Sequence, residues 1–324
     1  MKLRIALIAA AGLAVAVYFL VYVGWESVLS AALTVGWGGF AILCVFGLGL
    51  FPLLGAAWHA LLPTSAAGRF WVLIWSRMVR DAAGEVLPFS QLGGALLGAR
   101  AALIHGVARP FVYASLIVDV TTEMLGQIAY VALGIVLLSQ RATGSVLSPT
   151  LRAGITAGVL LLAAGGVAAL LLQRRGHRLV TGLAARLLPR SVATAESVAA
   201  ALDIIYDSPR RVALSAALHL AAWIVSAFGS WLALTLIGVQ VHLSSVIAIE
   251  SLVCVARSAA VMIPSALGVQ EAAYAMLMPL FGVAPAFGLA LSLLRRAREI
   301  AVGVPTLLVW QTVESRRVLA GPGL

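Results

Sequence analysis

Arg295, Arg296, Arg298 and Glu299 sit together inside an otherwise apolar run. Arg295 and Glu299 are four residues apart, so on a helix they share a face and can pair. A guanidinium presents parallel donors to a single oxyanion, which is the chemistry of a phosphate clamp. Glu299 beside it can neutralise those arginines or carry a proton. Asp119 and Glu123 repeat the four-residue spacing in a second apolar run. Two further stretches add Arg80, Asp81, Glu85 and Arg100, and then Glu250, Arg257 and Glu271. In lipid an ionisable group costs about 2.5–3.5 kcal/mol or more at mid-depth, so such groups either pair or line a polar path. Two readings stay open. One is an internal ion-pair network, with the acidic run set against the basic one. The other is a path for an anionic or zwitterionic lipid head group, lined by Arg80, Arg100, Asp119, Glu123, Arg257, Glu271, Arg295, Arg298 and Glu299.

The chemistry that is missing narrows the function. There is no HExxH, no GxSxG, no GxGxxG and no phosphate-binding P-loop, so no catalytic residue is assigned and no nucleotide site is expected. Cys44 and Cys254 both lie in apolar runs and imply no redox framework. His59, His105, His219 and His242 are scattered singly and read as packing or interfacial residues. No metal and no cofactor is expected, and the chain reads as a non-enzyme.

These groups need elements that hold them at membrane depth, and the composition supplies them. Of 324 residues, 62% are hydrophobic and 10% charged, with a mean hydropathy of +1.05. Soluble domains carry roughly 25% charged residues, so a soluble enzyme is excluded. The net charge of +10 is nearly all arginine, with Lys2 the lone lysine. In a membrane chain this excess reports orientation rather than nucleic acid. A span needs about 20 mainly apolar residues. Six such runs occur: Ile5–Val23, about Gly39–Leu62, Phe111–Leu138, about Gly154–Leu172, about Val212–Ile237 and about Phe287–Trp310. The first is long for a signal segment and reads as a retained span. With the N-terminus inside, Lys2, Arg4, Arg69, Arg77, Arg80, the arginines of a basic loop over 173–211, Arg316 and Arg317 all fall on the cytoplasmic side. Arg141 and Arg152 alone fall opposite. Both termini are therefore expected to be cytoplasmic.

Two apolar stretches, Asp81–Val107 and about Ser244–Val283, are interrupted by proline and glycine. Broken backbone at membrane depth is tolerated only under protein cover or beside a polar cavity. Both read as re-entrant helical hairpins, broken at Pro88 and Pro264, with Gly93 and Gly268 allowing close approach. Kinked ordinary spans and interfacial helices are the alternatives. A shift of 176 residues places Pro88 on Pro264, Gly106 on Gly282, Phe111 on Phe287 and Glu123 on Glu299. Three crossings separate the copies, so the repeat, over about 64–140 and 240–312, is expected to be inverted, as in many transporters. The expected fold is an all-α polytopic membrane protein, a single integral membrane domain over 1–324, with about six transmembrane helices and two re-entrant hairpins.

Three segments carry a family resemblance. They are Arg80-Asp81-Ala82-Ala83-Gly84-Glu85-Val86-Leu87-Pro88-Phe89 with Arg100, then Glu250-Ser251 through Arg257 to Ile263-Pro264-Ser265-Ala266-Leu267-Gly268-Val269-Gln270-Glu271, and then Ser292-Leu293-Leu294-Arg295-Arg296-Ala297-Arg298-Glu299. Together they resemble the lysylphosphatidylglycerol synthase transmembrane, or flippase-like, family along nearly the whole chain. The wording around Glu85-Val86-Leu87-Pro88-Phe89-Ser90-Gln91-Leu92-Gly93-Gly94 resembles most the branch found in hopanoid biosynthesis clusters. The resemblance implies a bacterial inner-membrane protein that moves lipids, with anionic phospholipid or a hopanoid lipid as partner and hopanoid biosynthesis or export proteins as further partners. No soluble aminoacyl-transferase segment is read after the sixth span, so aminoacyl-lipid synthesis is not expected. A lipid translocase is the leading expectation. A non-transporting scaffold or regulator and an intramembrane lipid-modifying enzyme are the alternatives.

Overall fold

The computed structural model describes residues 25–64, 70–86, 90–141, 164, 192–260 and 263–319. Every regular element among them is helical. In chain order they are α1 Trp25–Leu33, α2 Gly36–Leu61, α3 Phe70–Val86, α4 Ser90–Ile104, α5 Arg109–Arg141, α6 Val192–Tyr206, α7 Pro209–Ile237 and α8 Leu243–Ala259. A 3-10 turn at Pro264–Ala266, α9 Val269–Leu277, a second 3-10 turn at Met278–Phe281 and α10 Pro285–Leu319 follow.

Three helices are long and apolar enough to cross a membrane: Gly36–Leu61, Arg109–Ser139 and Pro209–Ile237. At 1.5 Å per residue each exceeds the roughly 30 Å hydrocarbon layer. They match the expected second, third and fifth spans. The expected sixth lies within α10, which at 35 residues has the length but carries four charges at its middle. The first and fourth expected spans, and most of the basic loop, lie outside the described residues.

The first interrupted stretch holds α3 up to Val86 and α4 from Ser90, and the second holds α8 and α9. The first begins at Phe70 rather than Asp81, because nothing between Phe70 and Arg80 breaks a helix. Arg77 and Arg80 are therefore not loop residues as the charge count assumed. Both are buried side chains within α3. Pro88 lies outside the described residues. In the second stretch the chain leaves α8 and turns sharply: Ser265, Ala266 and Gly268 all have positive φ, at 51°, 48° and 81°. For residues with a Cβ that conformation costs about 1–2 kcal/mol each, so something must hold the turn.

Two turns 176 residues apart share a backbone conformation. Gly106 and Gly282 are both left-handed, at φ 90° and 74°. Val107 N–H donates to Ala102 O at 3.2 Å, and Val283 N–H donates to Met278 O at 3.1 Å. Each copy thus ends its arm with the same Schellman-type closure. The next helix starts at Arg109 in one copy and Pro285 in the other.

The described residues fall into two compact units. Unit one draws on Met1–Leu50, Met78–Gly98 and Val225–Leu324; unit two draws on Phe51–Arg77 and Ala99–Ile224. In unit one, α8, α9 and α10 pack on one another and α1 packs on α10. Its core holds Leu43, Leu234, Val246, Ile249, Tyr274, Met278, Leu289 and Leu294. In unit two α6 packs on α5, burying Leu61, Ala114, Val118, Leu202, Ile205 and Tyr206. Lipid tails are as apolar as leucine, so helix association here rests on close packing and hydrogen bonds. Polar side chains inside each unit therefore bear on stability as well as on chemistry.

Candidate functional site

Unit one gathers most of the expected site residues on α3, α8, α9 and α10. Arg295 lies at the centre. Its NH1 donates to Glu250 Oε2 at 3.0 Å and its Nε to Glu299 Oε1 at 3.2 Å. Tyr274 Oη donates to the other oxygen of Glu250 at 2.6 Å, and Arg295 NH1 also approaches that hydroxyl at 3.3 Å. Arg296 turns to α9, where its Nε donates to Glu271 Oε1 at 2.6 Å and its NH2 to Oε2 at 3.2 Å. Ser292 adds a 2.8 Å bond to Glu271 Oε1 and receives one from Gln270 at 2.7 Å. Arg257 donates to Glu85 Oε1 at 2.7 Å.

The same groups hold the strained turn. Ser265 Oγ donates to the backbone oxygen of Glu85 at 2.6 Å, and Arg296 NH1 donates to Ser265 O at 3.3 Å. The two broken stretches are thus tied to each other within unit one. Gly268 N–H, at the start of α9, donates to Glu271 Oε2 at 2.8 Å. That amide serves its own helix rather than a ligand. A close approach on the first arm is made at Gly94: a Cβ there would meet the backbone of Arg80 and Gly84. Gly93 lies within α4.

Arg298 differs from its neighbours. It makes no hydrogen bond and no ion pair to any described residue. Its Cδ passes Gly47 on α2, 3.1 Å from where a Cβ would stand. Arg80 is buried on α3 in the same unit. Arg100 belongs to unit two and its side chain is exposed.

Asp119 and Glu123 lie in unit two with partners the sequence reading passed over. Arg77 NH1 donates to Asp119 Oδ2 at 3.3 Å, and Arg77 NH2 donates to Glu123 Oε1 at 2.5 Å. His219, expected to be a packing residue, meets Asp119 Oδ1 through Nε2 at 3.0 Å. Acidic α5 thus finds a guanidinium on α3, and the α10 arginines find Glu250, Glu271 and Glu299. Tyr274, Ser265, Ser292, Arg77 and His219 were not among the expected site residues. Two of them left a trace in spacing: Gln270 and Tyr274, like Ser215 and His219, are four apart and share a helix face.

Among the described residues no group of three His, Cys, Asp or Glu side chains is placed to hold a metal. What remains among the described residues is a dense array of guanidinium–carboxylate pairs at the middle of apolar helices, beside an Arg298 that donates to none of them. Comparison with curated proteins and with solved structures gives no match. The family model for the lysylphosphatidylglycerol synthase TM region matches residues 8–305, and so covers α1 to α9, the middle of α10 and every charged group described above; the chain belongs to that membrane-lipid family.

Proposed function

We propose that this protein is a flippase-like lipid translocase of the bacterial inner membrane. Its cargo has an anionic or zwitterionic head group, and a hopanoid-linked lipid is the candidate that the resemblance to the hopanoid-cluster branch supplies. In this reading the two broken stretches are re-entrant hairpins of an inverted repeat, both termini are cytoplasmic, and the chain performs no covalent step. Its partners are membrane lipids together with hopanoid biosynthesis or export proteins.

One observation carries the reading. Arg257, Arg295 and Arg296 each donate to a carboxylate, whereas Arg298 makes no hydrogen bond to one among the described residues. A guanidinium with unused donors in the middle of a long apolar helix is costly in lipid. A phosphate drawn to it removes that cost and gains charge-assisted hydrogen bonds. Gly47, with no side chain, makes room for the Arg298 side chain, which lies against it. Arg295 and Arg257 are next in reach once Glu299 and Glu85 release them.

The dense pairing itself favours a second reading, a scaffold held together by its charges. Mass spectrometry of lipids that co-purify in mild detergent separates the two. Wild type is compared with Arg298→Ala and Glu299→Gln. A lipid class enriched with wild type and lost with Arg298→Ala supports the head-group site and names the cargo for a flipping assay in proteoliposomes. Identical bulk phospholipid in all three folded samples rejects it in favour of the scaffold. In the flipping assay, Glu299→Gln is expected to abolish transport with the fold intact.

A further inference from the structure

The charges gathered inside unit one balance in sign. Arg257 is bonded to Glu85, Arg295 to Glu250 and Arg296 to Glu271. Arg80 and Asp81 are neighbours of opposite sign on α3. Arg298 and Glu299 on α10 complete the group with one more charge of each sign.

These last two differ from the bonded pairs in having hydrogen-bonding capacity to spare. Arg298 donates to none of the described carboxylates. Glu299 accepts from Arg295 through Oε1 at 3.2 Å, and its Oε2 accepts from no described residue. Arg298 and Glu299 are consecutive, and the charge of each acts on the other. The Glu299 side chain is 17% exposed, against 7% for Glu250 and 5% for Glu271. The carboxylate with a spare oxygen is therefore also more open than the two buried beside it.

A charge brought to mid-depth in lipid needs an opposite charge to meet it. A purely anionic head group on Arg298 answers the guanidinium but sets a phosphate beside the Glu299 carboxylate. A head group that carries both signs answers both residues and leaves the balance intact. Phosphate oxygens accept from the guanidinium fork, and an ammonium donates N–H to a carboxylate oxygen. A primary amine has those N–H groups, whereas a quaternary one has none.

We propose that this site takes a phospholipid head group of zero net charge, with its phosphate on Arg298 and a primary ammonium on Glu299 Oε2. The inference rests on the head-group reading above and narrows it to zwitterionic cargo. No covalent bond forms or breaks.

Native mass spectrometry of the full chain, stripped of lipid in detergent and titrated with lipids of one acyl composition, tests this. The lipids are phosphatidylethanolamine, its N-acetyl derivative and phosphatidylglycerol. Wild type is expected to bind phosphatidylethanolamine about tenfold or more tightly than the other two, as one charge-assisted hydrogen bond allows. In Glu299→Gln the three affinities are expected to fall within about twofold of one another. Arg298→Ala is expected to weaken all three, since all carry the phosphate. Equal or tighter binding of phosphatidylglycerol by wild type, lost in Arg298→Ala, overturns this inference and keeps the head-group site. A preference for phosphatidylethanolamine that survives in Glu299→Gln overturns the placement of the ammonium. Affinities that Arg298→Ala leaves unchanged overturn the head-group site and this inference together. If Glu299→Gln does not fold, wild type decides alone, because phosphatidylethanolamine and its N-acetyl derivative differ only at the amine.

Discussion

At the scale of single residues, the charges of α10 divide by what they touch. Glu271 accepts four hydrogen bonds, two from Arg296, one from Ser292 and one from Gly268 N–H. Glu271→Ala would strand a guanidinium and an amide together. A loss of about 3–5 kcal/mol is expected, as when one partner of a buried pair is removed, read by unfolding in detergent. Tyr274→Phe removes a milder contact, the hydroxyl on Glu250, while Arg295 remains there. Its expected cost is about 1.5–3 kcal/mol, the range for a hydrogen bond to a charged group. Arg298→Ala breaks no pair, so its melting temperature is expected to stay near wild type even where lipid binding is lost. Stability that falls as far as in Glu271→Ala would mean that Arg298 is structural.

At the scale of elements, glycine decides two features. Gly106 and Gly282 are left-handed, and no atom lies within 4 Å of an added Cβ at either. Alanine there pays for backbone conformation alone, about 1–2 kcal/mol. The two variants are expected to lose similar stability in denaturant titrations, because the two closures are alike. A loss at only one would show that the repeat is unequal in energy. Gly126 on α5 is a different case. An added Cβ would lie 2.9 Å from Leu220 N and 3.0 Å from His219 Cβ. Gly126→Val must therefore push α5 and α7 apart, with an expected cost of about 1–3 kcal/mol.

At the scale of the whole molecule, much of the surface is apolar. Trp37 is 90% exposed, Trp71 72% and Val45 69%. Large exposed apolar area on long helices fits a chain surrounded by lipid, as its family membership indicates. The proposed topology places both termini in the cytoplasm. A reporter that matures only outside the inner membrane, fused after Leu319, is expected to stay inactive. Activity there would reverse the orientation or change the number of crossings.

Much of this was legible in the chain itself. Hydropathy over Gly36–Leu61, Arg109–Ser139 and Pro209–Ile237 marks the spans, because lipid tolerates only long apolar helices with their backbone bonds satisfied. The turn near Pro264, the family and the charges of α10 are likewise local patterns of residue type. Partner choice was not legible. Whether Arg77 is a flanking charge or the buried partner of Asp119 and Glu123 depends on where α3 packs. So does the meeting of His219 with Asp119, 100 residues apart. The turn at Ser265 adopts strained angles only because Glu85 and Arg296 hold it from distant segments. Residue types and spacing determine which groups must be buried, since lipid penalises every charge alike; only the packing of helices decides which charges meet, because that choice is made by a few ångströms of distance that no local pattern records.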